Sequence, residues 1–102
     1  MTTSQPEQSS QSEQPSQPEQ PAVRLLLVDD EPGLRSAVQA YLEDEGFDVT
    51  TAVDGEDGFA KAQQMLPDVV ISDVMMPRLD GYGLLNKLRA DERLGGTPVI
   101  FL

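Results

Sequence analysis

From residue 22 onward, short apolar runs alternate with stretches of helical periodicity, and this alternation limits the fold more than any other feature of the 102-residue chain. Residues 23–28 (VRLLLV) form a short apolar run, the pattern of a strand buried on both faces. Asp29, Asp30 and Glu31 follow, then Pro32. Proline suits the first turn of a helix, and acids there complement its dipole. Leu34, Val38, Tyr41 and Leu42 recur at i, i+4, i+7 and i+8, giving one apolar helix face, and Gly46 is placed to end that helix. The cycle repeats with a strand over 47–52, and Asp54 and Asp57 then have the spacing of an N-cap and a first-turn acid. Phe59, Ala62 and Leu66 supply the second apolar face before Pro67 stops the helix. A third strand covers 68–72 (DVVIS), ahead of a loop through Met76, Pro77, Asp80 and Gly81. Leu84, Leu85 and Leu88 mark the buried face of a third helix, and residues 97–102 (TPVIFL) open a fourth strand.

The order is βαβαβαβ. Strands alternating with helices imply an α/β fold, a doubly wound parallel sheet with right-handed crossovers and helices on both faces. Ligands of such sheets sit outside the carboxyl ends of the strands. Asp29 and Asp30 fall at that end of the first strand, and Asp73 falls at that end of the third. Three carboxylates from distant parts of the chain therefore converge on one rim.

Crowded carboxylates repel, which raises their pKa values or destabilises the fold. A divalent cation resolves the conflict. The chain has no His and no Cys, which excludes a catalytic imidazole, a thiol nucleophile, a disulfide frame and an imidazole or thiolate zinc site. Any metal here must be a hard cation held by oxygen, and Mg²⁺ keeps exchangeable waters that a phosphoryl oxygen can replace. Aspartate is itself a competent nucleophile toward phosphorus, and phosphoryl transfer depends more on positioning and charge neutralisation than on acid–base groups. Taken singly, each acid has a structural reading: Asp30 and Glu31 as helix caps, Asp29 as a solvated rim residue, Asp73 as an Asx-turn acid. Their convergence at matching strand ends favours the metal and phosphoryl reading.

Eighteen acidic against seven basic side chains give a net charge of −11, which argues against a duplex-binding surface on this segment. No apolar run reaches the roughly 18 residues of a membrane span, and no basic segment leads into an apolar stretch as in a signal peptide. A cytoplasmic protein is expected. Residues 1–21 hold six Gln, five Ser, four Pro and three Glu with no Lys or Arg, a composition expected to be disordered. Gln recurs at every third position from Gln5 to Gln20, a period that would align one edge of a polyproline helix.

Residues 22–102 resemble the receiver domain of two-component response regulators. The matching pieces are LLLVDDEP (25–32), DVVISDVMMP (68–77) and DGYGLLNKLR (80–89), in the family's order and spacing. The resemblance implies the flavodoxin-like receiver fold, with Asp73 as phosphoacceptor for a phosphoryl group from a sensor histidine kinase or phosphotransfer protein. It implies that Mg²⁺ is bound by Asp30 directly, by Asp29 mainly through water, by Asp73, and by the backbone carbonyl of Met75. Pro77 would stiffen the loop and Gly81 would give its turn conformational freedom. The family's fifth strand with its Lys, and the Ser or Thr after strand four, would lie past Leu102, so the domain at 22–102 reads as incomplete at its C-terminus. An output domain controlling transcription through DNA, and a homodimer formed on phosphorylation, are further implications of the resemblance rather than of these residues.

Two other classes compete with this signalling module. A haloacid-dehalogenase-like phosphohydrolase wants a second Asp two residues after the nucleophile, but Val74 and Met75 follow Asp73, and Asp30 and Glu31 follow Asp29. A dinucleotide enzyme wants G-x-G-x-x-G after the first strand, where this chain has acids instead. A degenerate receiver serving only protein contacts is the remaining alternative, and three converging carboxylates argue against it. The chain is accordingly expected not to be an enzyme.

Overall fold

The computed structural model describes residues 21–102. The disorder expected of the leader therefore falls, up to Gln20, outside the described residues. Four strands, β1 (Arg24–Val28), β2 (Asp48–Ala52), β3 (Val69–Ser72) and β4 (Val99–Phe101), form one sheet in the order β2-β1-β3-β4. All three pairings are parallel. Three helices, α1 (Pro32–Asp44), α2 (Gly55–Met65) and α3 (Gly81–Ala90), connect them. The first crossover steps to one side of β1 and the next two step to the other. Right-handed connections then place α1 on one face and α2 and α3 on the opposite face.

β1 lies in the centre of this sheet, which explains its continuous apolar run. Leu26 and Val28 point to the α2 and α3 face and join Ala52, Ala62, Val70, Leu84, Leu88 and Leu94 in the buried core. Leu25 and Leu27 alternate to the other face and are equally buried. Burying side chains of this size contributes about 1.5–3 kcal/mol each.

Local signals fix the helix ends. Asp54 caps α2 by accepting a hydrogen bond from the Asp57 N–H at 2.8 Å, and the Asp57 carboxylate accepts one from the Val53 N–H at 3.0 Å. The two carboxylates together satisfy one backbone donor in the first turn and one just before it. Asp80 caps α3 through the Gly83 N–H, and Lys87 and Arg89 sit in its last turn where cations complement the dipole. α2 ends at Met65, two residues before Pro67, with Leu66 between them in the left-handed region at φ 50°. A residue preceding proline is steered away from the right-handed helical region, so the stop is local.

Two expectations change. The first turn of α1 contains no acid; Glu31 instead takes the capping role that its structural reading gave it, accepting the Leu34 N–H at 2.6 Å. The helix begins at Pro32, one residue past the acidic run, so the acids flank the turn instead of entering it. The apolar stripe of α1 is also less buried than its period implies: Leu34 is 48% and Tyr41 64% exposed, and no residue of α1 is fully buried. α1 packs on β1 and β2 at one side of the sheet, and among the described residues no second helix flanks it on that face.

Candidate phosphorylation and metal site

Parallel pairing of β1 with β3 sets Val28 beside Ser72, so the next residue of each strand, Asp29 and Asp73, emerges at the same rim. Backbone bonds carry the ladder one step further: the Asp73 N–H donates to the Val28 carbonyl at 3.0 Å and the Asp29 N–H to the Ala52 carbonyl at 3.1 Å. Asp30 follows in the same loop. One carboxylate oxygen from each of Asp29, Asp30 and Asp73 lies within 4.8 Å of the other two. The rim convergence expected from the strand order is therefore present.

The three acids differ in environment. Asp29 is fully buried, Asp73 half-buried and Asp30 exposed. Asp29 Oδ1 accepts the Glu31 N–H at 2.9 Å, and its Oδ2 is buried with no hydrogen-bond partner. Such an oxygen is costly in a protein interior unless something supplies a positive charge or a donor. Two unit charges about 5 Å apart repel by roughly 3 kcal/mol at an effective dielectric of about 20. An oxygen-seeking cation would relieve both penalties. Ligands around octahedral Mg²⁺ stand about 3 Å apart when adjacent and about 4 Å when opposite, given metal–oxygen distances near 2.1 Å. The observed spread fits that geometry after a small side-chain adjustment, or with one acid acting through water, so the donor set suits the ion.

Neighbouring groups hold the acids in place. Arg35 Nη1 on α1 donates to the Asp29 carbonyl at 2.8 Å, and the buried Ser72 hydroxyl donates to the Asp73 carbonyl at 2.8 Å. Asp73 Oδ1 accepts the Val74 N–H at 3.0 Å, a contact to the next residue rather than the i+2 contact of an Asx-turn. Glu31, used as a helix cap, is not among the converging acids. Met75 is 76% exposed, while Met76 packs against the core.

The expectation for Gly81 also changes. Its φ is not positive, and it needs no conformational freedom; it needs space. A Cβ there would lie 2.4 Å from the Asp73 carbonyl oxygen and 2.8 Å from the Phe101 ring, and a methyl group cannot fit at either distance. Gly81 lets α3 start against the backbone of the phosphoacceptor candidate.

Sequence reasoning missed one pair beside the site. Arg78 Nε donates to Asp54 Oδ2 at 2.6 Å, and the guanidinium forms an ion pair with the same oxygen. The carboxyl of Asp54 is held below the ordinary value of 3.8 by the Asp57 N–H, with the Arg78 guanidinium adding to the effect and burial opposing it. The Asp54 side chain is 5% exposed.

A profile of the response regulator receiver domain matches residues 25–102. Response regulator Rre1 of Synechocystis is 53% identical over 81 residues, covering 78% of this chain and 35% of Rre1. The DNA-binding dual master transcriptional regulator RpaA of the same organism is 43% identical over 79 residues, covering 78% of this chain and 33% of RpaA. The chain thus spans about a third of the length of these relatives. Among solved structures, the receiver domain of a sensor histidine kinase from Pseudomonas aeruginosa superposes with a TM-score of 0.75 at 31% identity, covering 78% of this chain and 66% of that one. That structure holds a magnesium ion coordinated in its active-site cleft.

Proposed function

The chain belongs to the response regulator receiver domain family, and on that premise we propose that Asp73 is its phosphoacceptor, with Asp29, Asp30 and the Met75 carbonyl completing a Mg²⁺ site. One observation carries the reading: the buried, partnerless Oδ2 of Asp29 within the cluster that Asp73 joins. Receiver domains are signalling modules that interact with histidine kinases and phosphotransfer proteins, and this chain takes its phosphoryl group from such a partner.

An oxygen of Asp73 attacks phosphorus, forming an acyl phosphate as the bond from phosphorus to the donor's imidazole nitrogen breaks and the electron pair leaves with that nitrogen. Ser72 and the close approach of Gly81 fix the Asp73 backbone, so the carboxylate enters the reaction already placed. Asp29 and Asp30 supply the negative charge and oxygen donors for the cation. When bound, Mg²⁺ would offset the charge of the phosphoryl oxygens. The absence of histidine is no obstacle, because the donor brings its own.

The added phosphoryl charge biases a two-state equilibrium. In a longer protein it would act on an output domain; RpaA, as named, binds DNA. Homodimerisation on phosphorylation and a cytoplasmic setting belong to the same proposal. Among the described residues, no helix is long and apolar enough to cross a membrane. The domain proposed here spans 22–102, with 1–21 as a leader outside the phosphorylation chemistry.

The test is labelling by acetyl phosphate with Mg²⁺. The parent chain should label, and Asp73→Asn should not. Undiminished labelling of the Asn variant would remove Asp73 from the role.

A further inference from the structure

Between Asp73 and α3 the chain makes a tight bend. The Leu79 N–H donates to the Pro77 carbonyl at 2.8 Å, closing a three-residue turn with Arg78 at its centre. Arg78 has φ 67°, a left-handed conformation that non-glycine residues adopt at a cost. A γ-turn with positive φ at its centre is rare and strained. Something outside the turn must hold it, and the contact present is the ion pair from Arg78 to Asp54. Asp54 is itself immobilised, since its other oxygen caps α2 through the Asp57 N–H. Beside this pair the Leu79 carbonyl rests against Gly55, where a Cβ would come within 2.0 Å of it. At its end, Gly81 abuts the Asp73 carbonyl. The segment that carries Met75 is thus fastened to the N-terminus of α2 at one end and starts from Asp73 at the other.

We propose that Arg78 and Asp54 form a latch that positions the loop 74–80, and with it the Met75 carbonyl, for Mg²⁺ binding and phosphoryl acceptance at Asp73. Neither residue is among the converging acids, so both act through the loop. The proposal rests on the phosphoacceptor reading given above. Its chemistry is that of an outer contact on a metal site: the latch contributes no ligand but fixes where a ligand stands.

Calorimetric titration with Mg²⁺ and the rate of labelling by acetyl phosphate at saturating Mg²⁺ test the latch, with thermal melts run alongside. Asp54→Asn keeps a capping oxygen for α2 and removes the charge that pairs with Arg78. Arg78→Gly removes the guanidinium and tolerates the positive φ, which separates the ion pair from backbone strain. Each variant should stay folded, bind Mg²⁺ about tenfold more weakly and label more slowly. The double variant should be no weaker than either single one, because both break the same contact. Single variants that bind Mg²⁺ within about twofold of the parent chain, or a double variant whose losses multiply, overturn the latch. Loss of fold in both single variants overturns it too, since the contact is then structural. A parent chain that fails to bind Mg²⁺ at all overturns the metal site itself, a result distinct from normal parent binding with unchanged variants.

Discussion

Asp29 and Asp73 leave the carboxyl ends of adjacent parallel strands with a carboxylate oxygen of each within 4.8 Å of the other, and Oδ2 of Asp29 is buried without a partner. Folding therefore brings together two negative groups that oppose each other when no cation is bound. Such a cost is expected of the proposed metal site, where stability would be given up for binding.

A substitution that serves stability should then harm binding. Asp29→Asn removes a buried charge and places an amide where the partnerless oxygen was. The variant should melt higher than the parent chain in a chelating buffer and bind Mg²⁺ at least tenfold more weakly. Changes of the same sign in both measurements would refute the opposition.

Mg²⁺ should stabilise the parent chain by mass action. At a free concentration one hundred times the dissociation constant, the gain is about 2.7 kcal/mol, and a chelator should reverse it. Asp30→Ala should weaken this stabilisation more than Asp29→Ala, since Asp30 is the proposed direct ligand. Equal and negligible effects of both substitutions would contradict the metal site.

Gly81→Ala forces a methyl group to within 2.4 Å of the Asp73 carbonyl oxygen. Overpacking of this kind costs about 1–3 kcal/mol, and here the strain falls on the Asp73 backbone. Denaturant melts should show the loss, with slower labelling by acetyl phosphate. Full stability and full labelling would show that α3 can move aside freely.

The rim of acids was legible from the sequence because it needs only two things: the strand order and the position of each acid just past its strand. The latch and the role of Gly81 were not. Arg78 and Asp54 stand 24 residues apart, in loops whose approach depends on how α2 and α3 pack. Gly81 reads in sequence as a flexible turn residue, whereas its necessity is a distance to a carbonyl that only tertiary packing creates. The exposure of Leu34 and Tyr41 was hidden for a similar reason: helical period identifies an apolar face, not what covers it.

Asp54 gives a pH dependence with a definite sign. Its carboxyl is held below its ordinary value of 3.8 when folded, first by the Asp57 N–H and then by Arg78, so the unfolded chain binds the proton more readily. The stability it contributes is present above that value and is lost as pH falls through the lower folded one. The stability gap between the parent chain and Asp54→Asn should shrink as pH drops below about 4. A gap that widens with acid would reverse the assignment.

The proposed phosphoryl transfer turns on one atom group, the carboxylate of Asp73. Labelling with acetyl phosphate and Mg²⁺, followed by borohydride reduction and peptide mass spectrometry, reads it directly, because reduction of an aspartyl phosphate leaves homoserine at the modified position. Homoserine is expected at Asp73 and at no other residue. Homoserine at Asp29 or Asp30, with Asp73 intact, would contradict it.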